Sequence, residues 1–324
     1  MSNEAILNQI TDWHIVQEHE NIIKAILDMP EHERSSELIC LLARAMSNED
    51  DYSSALKVLD SIRDNYSNDP YFCLRYGFAL YNLHREHEAL NWFKKANTNG
   101  LEEINETPGT FLPKSVTQWI ERAERWAPRR IEKNAFEAEY RTKRNTRPQD
   151  SRLSDFDFAG FWNDCDYSLK RYIGRIPTDT DITEAEAMLG YRLPASYKAL
   201  ISQHNGGLLK KNCFENPLQR DWTPRTFGIE NIYGIDSDKS NSLCGDMGSK
   251  FWIKEWGYPD IGVAICGCPS GGHDMIFLDY TDCGPEGEPC VVHIAQESNY
   301  EITYLADCFE DFVRGLVPME EDDE

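Results

Sequence analysis

Basic residues are scarce at one end of this sequence: residues 251–324 hold 17 acids and 2 Lys or Arg, a balance of −15. Such a field repels phosphates, which argues against a nucleic-acid or anionic membrane surface and favours encounter with basic partners. Long hydrophobic runs are missing too. A membrane helix needs about eighteen consecutive apolar residues, and no such stretch occurs. Met1 to Gln9 carry Glu4 and no basic cluster ahead of an apolar stretch, so no ordinary secretory signal is read and a cytoplasmic location is expected. Nucleophile elbow, phosphate-binding loop and metal-binding helix motif are all absent from the sequence. Without a complete catalytic constellation the chain reads as a non-enzyme with no cofactor.

What is present is a globular composition, 40% hydrophobic and 27% charged, over 324 residues, enough for two domains with separate cores. Ten cysteines invite disulfides, but Cys40 and Cys73 fall within apolar helical patterns, where a reduced thiol acts as a small hydrophobe. Reduced thiols also suit the expected compartment. The overall charge of −23 is equally what solubility asks for, so its placement matters more than its size.

A period of 34 residues organises the first half. Leu42, Ala43, Ala55 and Leu59 recur as Tyr76, Gly77, Ala89 and Phe93. Small residues sit where paired helices approach closely, and large apolar ones fill the groove between them. The pattern resembles the tetratricopeptide repeat, with Ile39 where an aromatic residue is usual in the first unit. Two units leave apolar faces open, so flanking helices are expected to cover them. Upstream, Ile15, Ile22, Ile23, Ile26 and Leu27 have helical spacing that ends before Pro30. Downstream, Ser115 can cap a helix carrying Val116, Trp119, Ile120 and Ala123 that stops at Pro128. A stack of roughly six helices follows from one pair per repeat. It either presents a concave face to a peptide or props up its neighbour.

Next come Arg122, Arg125, Arg129, Arg130, Lys133, Arg141, Lys143, Arg144 and Arg147, interleaved with Glu121, Glu124, Glu132, Glu137 and Glu139. Spacings of three and four mark a salt-bridged, solvated connector helix rather than a nucleic-acid stripe. A turn-rich linker follows over residues 145–152. The expected organisation is a helical repeat module over 1–127, a basic connector and linker over 128–153, an α+β domain over 154–318 and an acidic tail over 319–324.

In the second half, Asp155 to about Tyr172 reads as a helix and Asp181 to Leu189 as a short one stopped by Gly190. Pro194 opens a third, which ends at His204-Asn205-Gly206-Gly207. Strands are expected at Phe227–Ile235, Gly262–Cys266, Met275–Asp279, Cys290–Ile294 and Glu301–Tyr304, with a helix near Lys250–Trp256. Leu305, Phe309, Phe312, Val313 and Leu316 share one face of a closing helix. Helices, an antiparallel sheet and a helix packed back on it make an α+β fold.

Those elements carry an ordered set of short motifs. Leu193-Pro194-x-x-Tyr197 leads to Asn205-Gly206-Gly207; Tyr233-Gly-Ile235 and Gly271-Gly-His-Asp274 follow; then come Asp279, Gly287-Glu-Pro289, Val291-Val-His293 and Phe309-x-x-Phe312-Val313. Together, over about residues 156–317, they resemble the SUKH superfamily, the cell-wall-assembly-regulator-like domain. The resemblance implies a binding module. Many bacterial members are immunity proteins that block a toxin, and fungal members resemble signalling scaffolds, some with a helical segment in front.

Metal and acid–base chemistry are weaker readings of the same stretch. Cys266 and Cys268 are one residue apart, which on a strand puts both on one face, and Cys283, Cys290, His273 and His293 add no zinc-type cysteine pair. His273, Asp274, Asp279 and Asp282 lack an accompanying nucleophile or metal motif. The acids fit binding better. Asp279, Asp282, Glu286 and Glu288 lie in a Gly/Pro loop that can offer carboxylates to Arg and Lys of a partner. A solvated hairpin turn is the alternative. Trp222, Trp252 or Trp256 would serve either as apolar anchors or as core. The expected function is an immunity-type inhibitor that binds a basic toxin domain stoichiometrically, the alternative a regulatory adaptor bridging partners through its two modules. Neither nucleic acid nor membrane is expected as a partner, and no oligomeric state is fixed by the pattern.

Overall fold

The computed structural model describes residues 3–102, 104, 115–144, 152–218 and 224–319, and the chain divides into two compact units, Met1–Ala135 and Phe136–Glu324. The linker positions 145–151, Trp222 and the tail from 320 lie outside the described residues.

The first unit is helical: α1 (Asn3–Ile15), α2 (His19–Leu27), α3 (Ser36–Asn48), α4 (Tyr52–Asp60), the single turn α5 (Arg63–Tyr66), α6 (Pro70–Asn82), α7 (Glu86–Thr98) and the part of α8 (Val116–Arg144) up to Ala135. Local chemistry starts the repeat helices. The Ser35 hydroxyl accepts from the Leu38 amide ahead of α3, and the Asp69 carboxylate accepts from the Phe72 amide ahead of α6, at 2.7 Å, with Pro70 in the first turn. These caps are themselves 34 residues apart, so the period extends to the helix starts. Gly77 shows why the small positions are needed: a Cβ there would meet the Phe93 ring at 2.7 Å, so α6 and α7 close to this distance only with glycine.

Both apolar ends of the repeat pair are covered. Ile22 and Ile26 of α2 are fully buried on one side. On the other, Trp119 of α8 stacks on Phe93 at 5.5 Å and meets Phe78 and Tyr81 edge-on. The upstream pattern is corrected in part. A turn at Gln17, with φ +62°, separates α1 from α2 and leaves Ile15 64% and Leu27 44% exposed.

The stop expected at Pro128 is also corrected: α8 runs through the proline. Pro128 removes one N–H, and the carbonyl it frees, that of Glu124, belongs to an exposed residue whose partner can be water. Two residues further on, Arg130 bridges Glu86 through both carboxylate oxygens at 3.2 Å, with Glu86 buried and the Arg130 side chain 10% exposed, which holds the helix past the proline.

The second unit is α+β. Its elements are β1 (Trp162–Asn163), α9 (Asp166–Arg171), α10 (Asp179–Leu189), α11 (Ala195–Gln203), β2 (Gly207–Leu209), β3 (Cys213–Glu215), β4 (Thr226–Gly228), β5 (Asn231–Ile232), α12 (Ser249–Glu255), β6 (Gly262–Gly267), β7 (Asp274–Asp279), β8 (Cys290–Ala295), β9 (Glu301–Ala306), α13 (Phe309–Arg314) and β10 (Leu316–Val317). The main sheet is an antiparallel meander in the order β6-β7-β8-β9. Val263, Ile265, Ile276, Phe277, Val291 and Val292 are all solvent-free, so both faces of its inner strands are covered. Two three-stranded antiparallel sheets, β1-β2-β5 and β10-β3-β4, flank it.

Three expected elements change. The helix from Asp155 to Tyr172 is instead a series of turns, the short strand β1 and a helix that starts only at Asp166; Leu153, Asp155 and Gly160 take positive φ, which a helix does not admit. The strand from Phe227 to Ile235 breaks into β4 and β5. The closing helix loses both ends: Leu305 belongs to β9 and Leu316 to β10, because Cys308 is extended at φ −154° and its sulfur caps α13. Cys266 and Cys268 share no regular strand face either, since β6 is bulged between Ala264 and Cys266 and ends at Gly267.

Candidate functional site

The acidic loop is pinned, not floppy. The Tyr280 hydroxyl donates to the Arg192 carbonyl at 2.6 Å, and the Arg192 amide donates to the Pro285 carbonyl at 2.8 Å. Tyr191 packs on the Tyr280 ring at 4.6 Å. Inside the loop, the Asp279 carboxylate accepts from the Thr281 amide at 2.9 Å and Gly284 turns with φ +72°. Gly287 is required by contact, because a Cβ would fall 2.5 Å from the Cys283 carbonyl oxygen. A preformed loop presents its charges without paying to order them at binding.

The sequence-derived residues separate once placed. Asp279 is buried and serves the turn. Asp282 and Glu286 are exposed, and Glu288 is half-buried. Trp252 is a core residue, 4% exposed, whose ring lies 2.6 Å from where a Gly272 Cβ would be. Trp256 is half-buried between Trp252 and His273, and its carbonyl accepts from the Tyr300 hydroxyl. So two of the four loop acids are exposed, and of Trp252 and Trp256 only the latter reaches the surface.

A second source of acid borders the loop and was not singled out from the sequence. Helix α10 carries Asp179, Asp181, Glu184 and Glu186 and no basic residue. A capping box starts it: the Thr178 hydroxyl accepts from the Asp181 amide, and the Asp181 carboxylate accepts from the Thr178 amide at 2.7 Å. Gly190 stops it at φ +83°, immediately before Tyr191 and Arg192, the residues against which the loop rests. The end of the helix and the loop therefore share one anchorage; of the helix acids Asp179 and Glu184 are exposed, while Asp181 pairs with Arg175 and Glu186 with Lys198 at 3.0 Å. The signal available in the sequence was four acids with no basic residue between Asp179 and Glu186.

The other end of α10 is tied to the Asn-Gly-Gly segment. Arg175 grips Asp181 with two hydrogen bonds, 2.5 and 2.7 Å, which with the Thr178 contacts holds that carboxyl well below the usual carboxylate range. Buried Asn205 is a crosspiece: its Nδ2 donates to the Arg175 carbonyl at 2.6 Å, and its Oδ1 accepts from the Ile235 amide at 2.9 Å. Gly206, at φ +84°, lies where a Cβ would be 2.4 Å from the Gly234 nitrogen. Beside this crosspiece lies a cavity of about 180 Å³ whose walls include Ala185, Met188, Glu184 and Asp236.

The groups considered for chemistry hold structural positions. His293 Nε2 pairs with Asp274 Oδ1 at 3.2 Å and its ring lies on Phe227. The hydrogen bond to His293 lowers the Asp274 pKa, against the effect of burial. Burial, reinforced by Asp274 and Glu230, pushes the neighbouring Cys268 thiol well up, and Cys266 is raised by burial likewise. Such thiols are poor nucleophiles at neutral pH. Among the described residues no three His, Cys, Asp or Glu side chains come together as a metal-holding group, and no helix is long and apolar enough to cross a membrane.

An antiparallel meander, flanked by small sheets and closed by α13, with a preformed acidic loop against α10, defines a domain of α+β type. Residues 179–313 match the family model SUKH_6, described as SMI1-KNR4 cell-wall, so this stretch of the second unit is similar to that family. No curated protein matches the chain.

Proposed function

We propose that the protein is an immunity-type inhibitor that captures a basic toxin domain stoichiometrically through its second unit. The observation that carries this reading is the preformed acidic loop 279–288, pinned at the end of α10, with Asp282 and Glu286 exposed on the loop and Asp179 and Glu184 exposed on the helix, in a stretch similar to the SUKH family. Its carboxylates are held by a rigid frame, so they pair with Lys and Arg of a partner in charge-assisted bonds without prior rearrangement. Asp282, Glu286 and Glu288 supply the loop's share and Trp256 a neighbouring aromatic surface. Asp279 supports the turn and Trp252 the core beneath. The action is occlusion, not catalysis: the buried thiols and the His293–Asp274 pair are spent on structure.

A regulatory adaptor is the second reading, favoured by one feature of the repeat module. Leu90 of α7 and Ala127, Pro128 and Ile131 of α8 line an open apolar groove of about 520 Å³, a surface fit for another protein segment. Capture of the tagged full chain with its bound proteins from the native host, followed by a growth assay in cells expressing the recovered partner, separates the two. Under the immunity reading the partner is basic and toxic, and co-expression of the chain restores growth. Two unrelated non-toxic proteins, one lost on loop substitution and the other on Ile131 substitution, would favour the adaptor.

A further inference from the structure

We infer that the cavity beside α10 is an anchor pocket for a single arginine side chain of the captured protein. This rests on the reading that the second unit binds a basic protein, and it names where one residue of that partner is held. The cavity measures about 180 Å³. That is below the roughly 300–1,000 Å³ of small-molecule and cofactor sites, so its size suits one long side chain better than a free metabolite.

The lining matches such a side chain along its length. Ala185 and Ile235 are buried and apolar, and Met188 is 37% exposed at the rim, so the walls accept a methylene stem. Glu184 is exposed on one wall and Asp236 half-buried on another. Arg175, the one cation of the lining, is already committed to Asp181 by two hydrogen bonds. The local balance left for a ligand is therefore negative, and a planar guanidinium with five donors suits acceptors arriving from different walls.

The rim points the same way. Ile176, adjacent to Arg175, is 53% exposed, and Leu169 of α9 is 51% exposed. Lys239 links α9 to the pocket, donating from Nζ to the Leu169 carbonyl at 2.8 Å and from its amide to the Asp236 carbonyl at 3.0 Å. An acid-walled pocket with Met188 at its rim and exposed Ile176 next in sequence to the lining residue Arg175 is suited to an interface, where arginine is a frequent anchor. The pocket walls are rigid as well, since Asp236 accepts from the Arg175 amide at 2.9 Å and Asn205 braces the carbonyl of the same residue.

The test uses the full chain and N-acetyl-arginine methylamide, titrated while backbone amide shifts are recorded. Saturable shifts are expected at Ala185, Ser237 and Cys244, with none from the norleucine analogue. Ser237→Arg places a basic side chain at the mouth of the cavity and should abolish the shifts. Glu184→Gln should weaken binding about two- to fivefold, the scale of one exposed ion pair. No saturable shift, the same shifts from norleucine, or shifts that persist in Ser237→Arg would each overturn the inference. The probe needs no partner protein. Failure here would leave capture of a basic protein standing, whereas failure of capture with the probe still bound would remove the anchor role and leave only a cavity that binds arginine.

Discussion

Removing the Asn205 side chain is the sharpest perturbation of the frame that carries the acidic surface. Asn205 is 1% exposed, and its amide joins the segment before α10 to the strand-like segment at Ile235. In Asn205→Ala the Ile235 N–H is stranded in the interior, because Ile235 is itself only 5% exposed. An orphaned buried donor costs about 1–3 kcal/mol. The Arg175 carbonyl loses a short bond as well, but Arg175 is exposed and water can replace the donor, so this second loss is about 0.5–1.5 kcal/mol. The backbone bond from the Gly174 amide to the Asn205 carbonyl survives, at 2.9 Å. The expected destabilisation of the second unit is about 1.5–4.5 kcal/mol in all. Urea unfolding of the full chain, followed by amide hydrogen exchange resolved at Ile235, measures it. A change under about 0.5 kcal/mol, the size of an ordinary surface substitution, with the Ile235 amide still protected, would refute the crosspiece role.

Two further outcomes concern the repeat unit. Burial first, then Arg44, His19 and Arg75, lowers the His14 pKa from 6.5 to about 4, and both ring nitrogens are buried without a hydrogen-bond partner. The unfolded chain then binds more protons between those values, so stability contributed by neutral His14 is present above pH 6.5 and falls by up to about 3 kcal/mol as pH drops to 4. Thermal melts across that window should show a shallower acid slope for His14→Phe, and an unchanged slope would contradict the assignment. Glu86→Ala removes the bridge to Arg130 but keeps the Arg130 contact to His84, and should cost the first unit up to about 3 kcal/mol in chemical denaturation. A cost near that of an exposed pair would mean that the bridge does not anchor α8 past Pro128.

How much of this was legible in the sequence depended on the range of the interactions. The repeat could be read because helix contact forces small residues to recur, as Gly77 against Phe93 makes plain. The strands β6 to β9 were legible as apolar runs with turn residues between them. By contrast β2, β3 and β10 are only two or three residues long and exist through pairing with distant segments, so no local pattern announces them. Leu305 to Leu316 satisfies a helical stripe, yet the extended backbone at Cys308 divides it, and spacing alone does not register a break of that kind. In the loop, composition marked the acids but not that Asp279 would turn inward to hold Thr281. The cavity was invisible for a different reason: Arg175, Ala185, Asn205 and Asp236 come together only through the Asn205 crosspiece and the Gly206–Gly234 approach.

The most direct test of capture by an acidic surface is the association rate of the full chain with the partner recovered from its host, measured by stopped flow against salt concentration. Steering predicts an on-rate that falls steeply as the Debye length shrinks from about 10 Å at 0.1 M salt to about 3 Å at 1 M, while the off-rate changes little. Substituting Asp282, Glu286 and Glu288 together by Asn and Gln should lower the low-salt on-rate and flatten its dependence on salt. An on-rate indifferent to salt, and unchanged in that triple variant, would contradict the claim that this surface captures a basic protein.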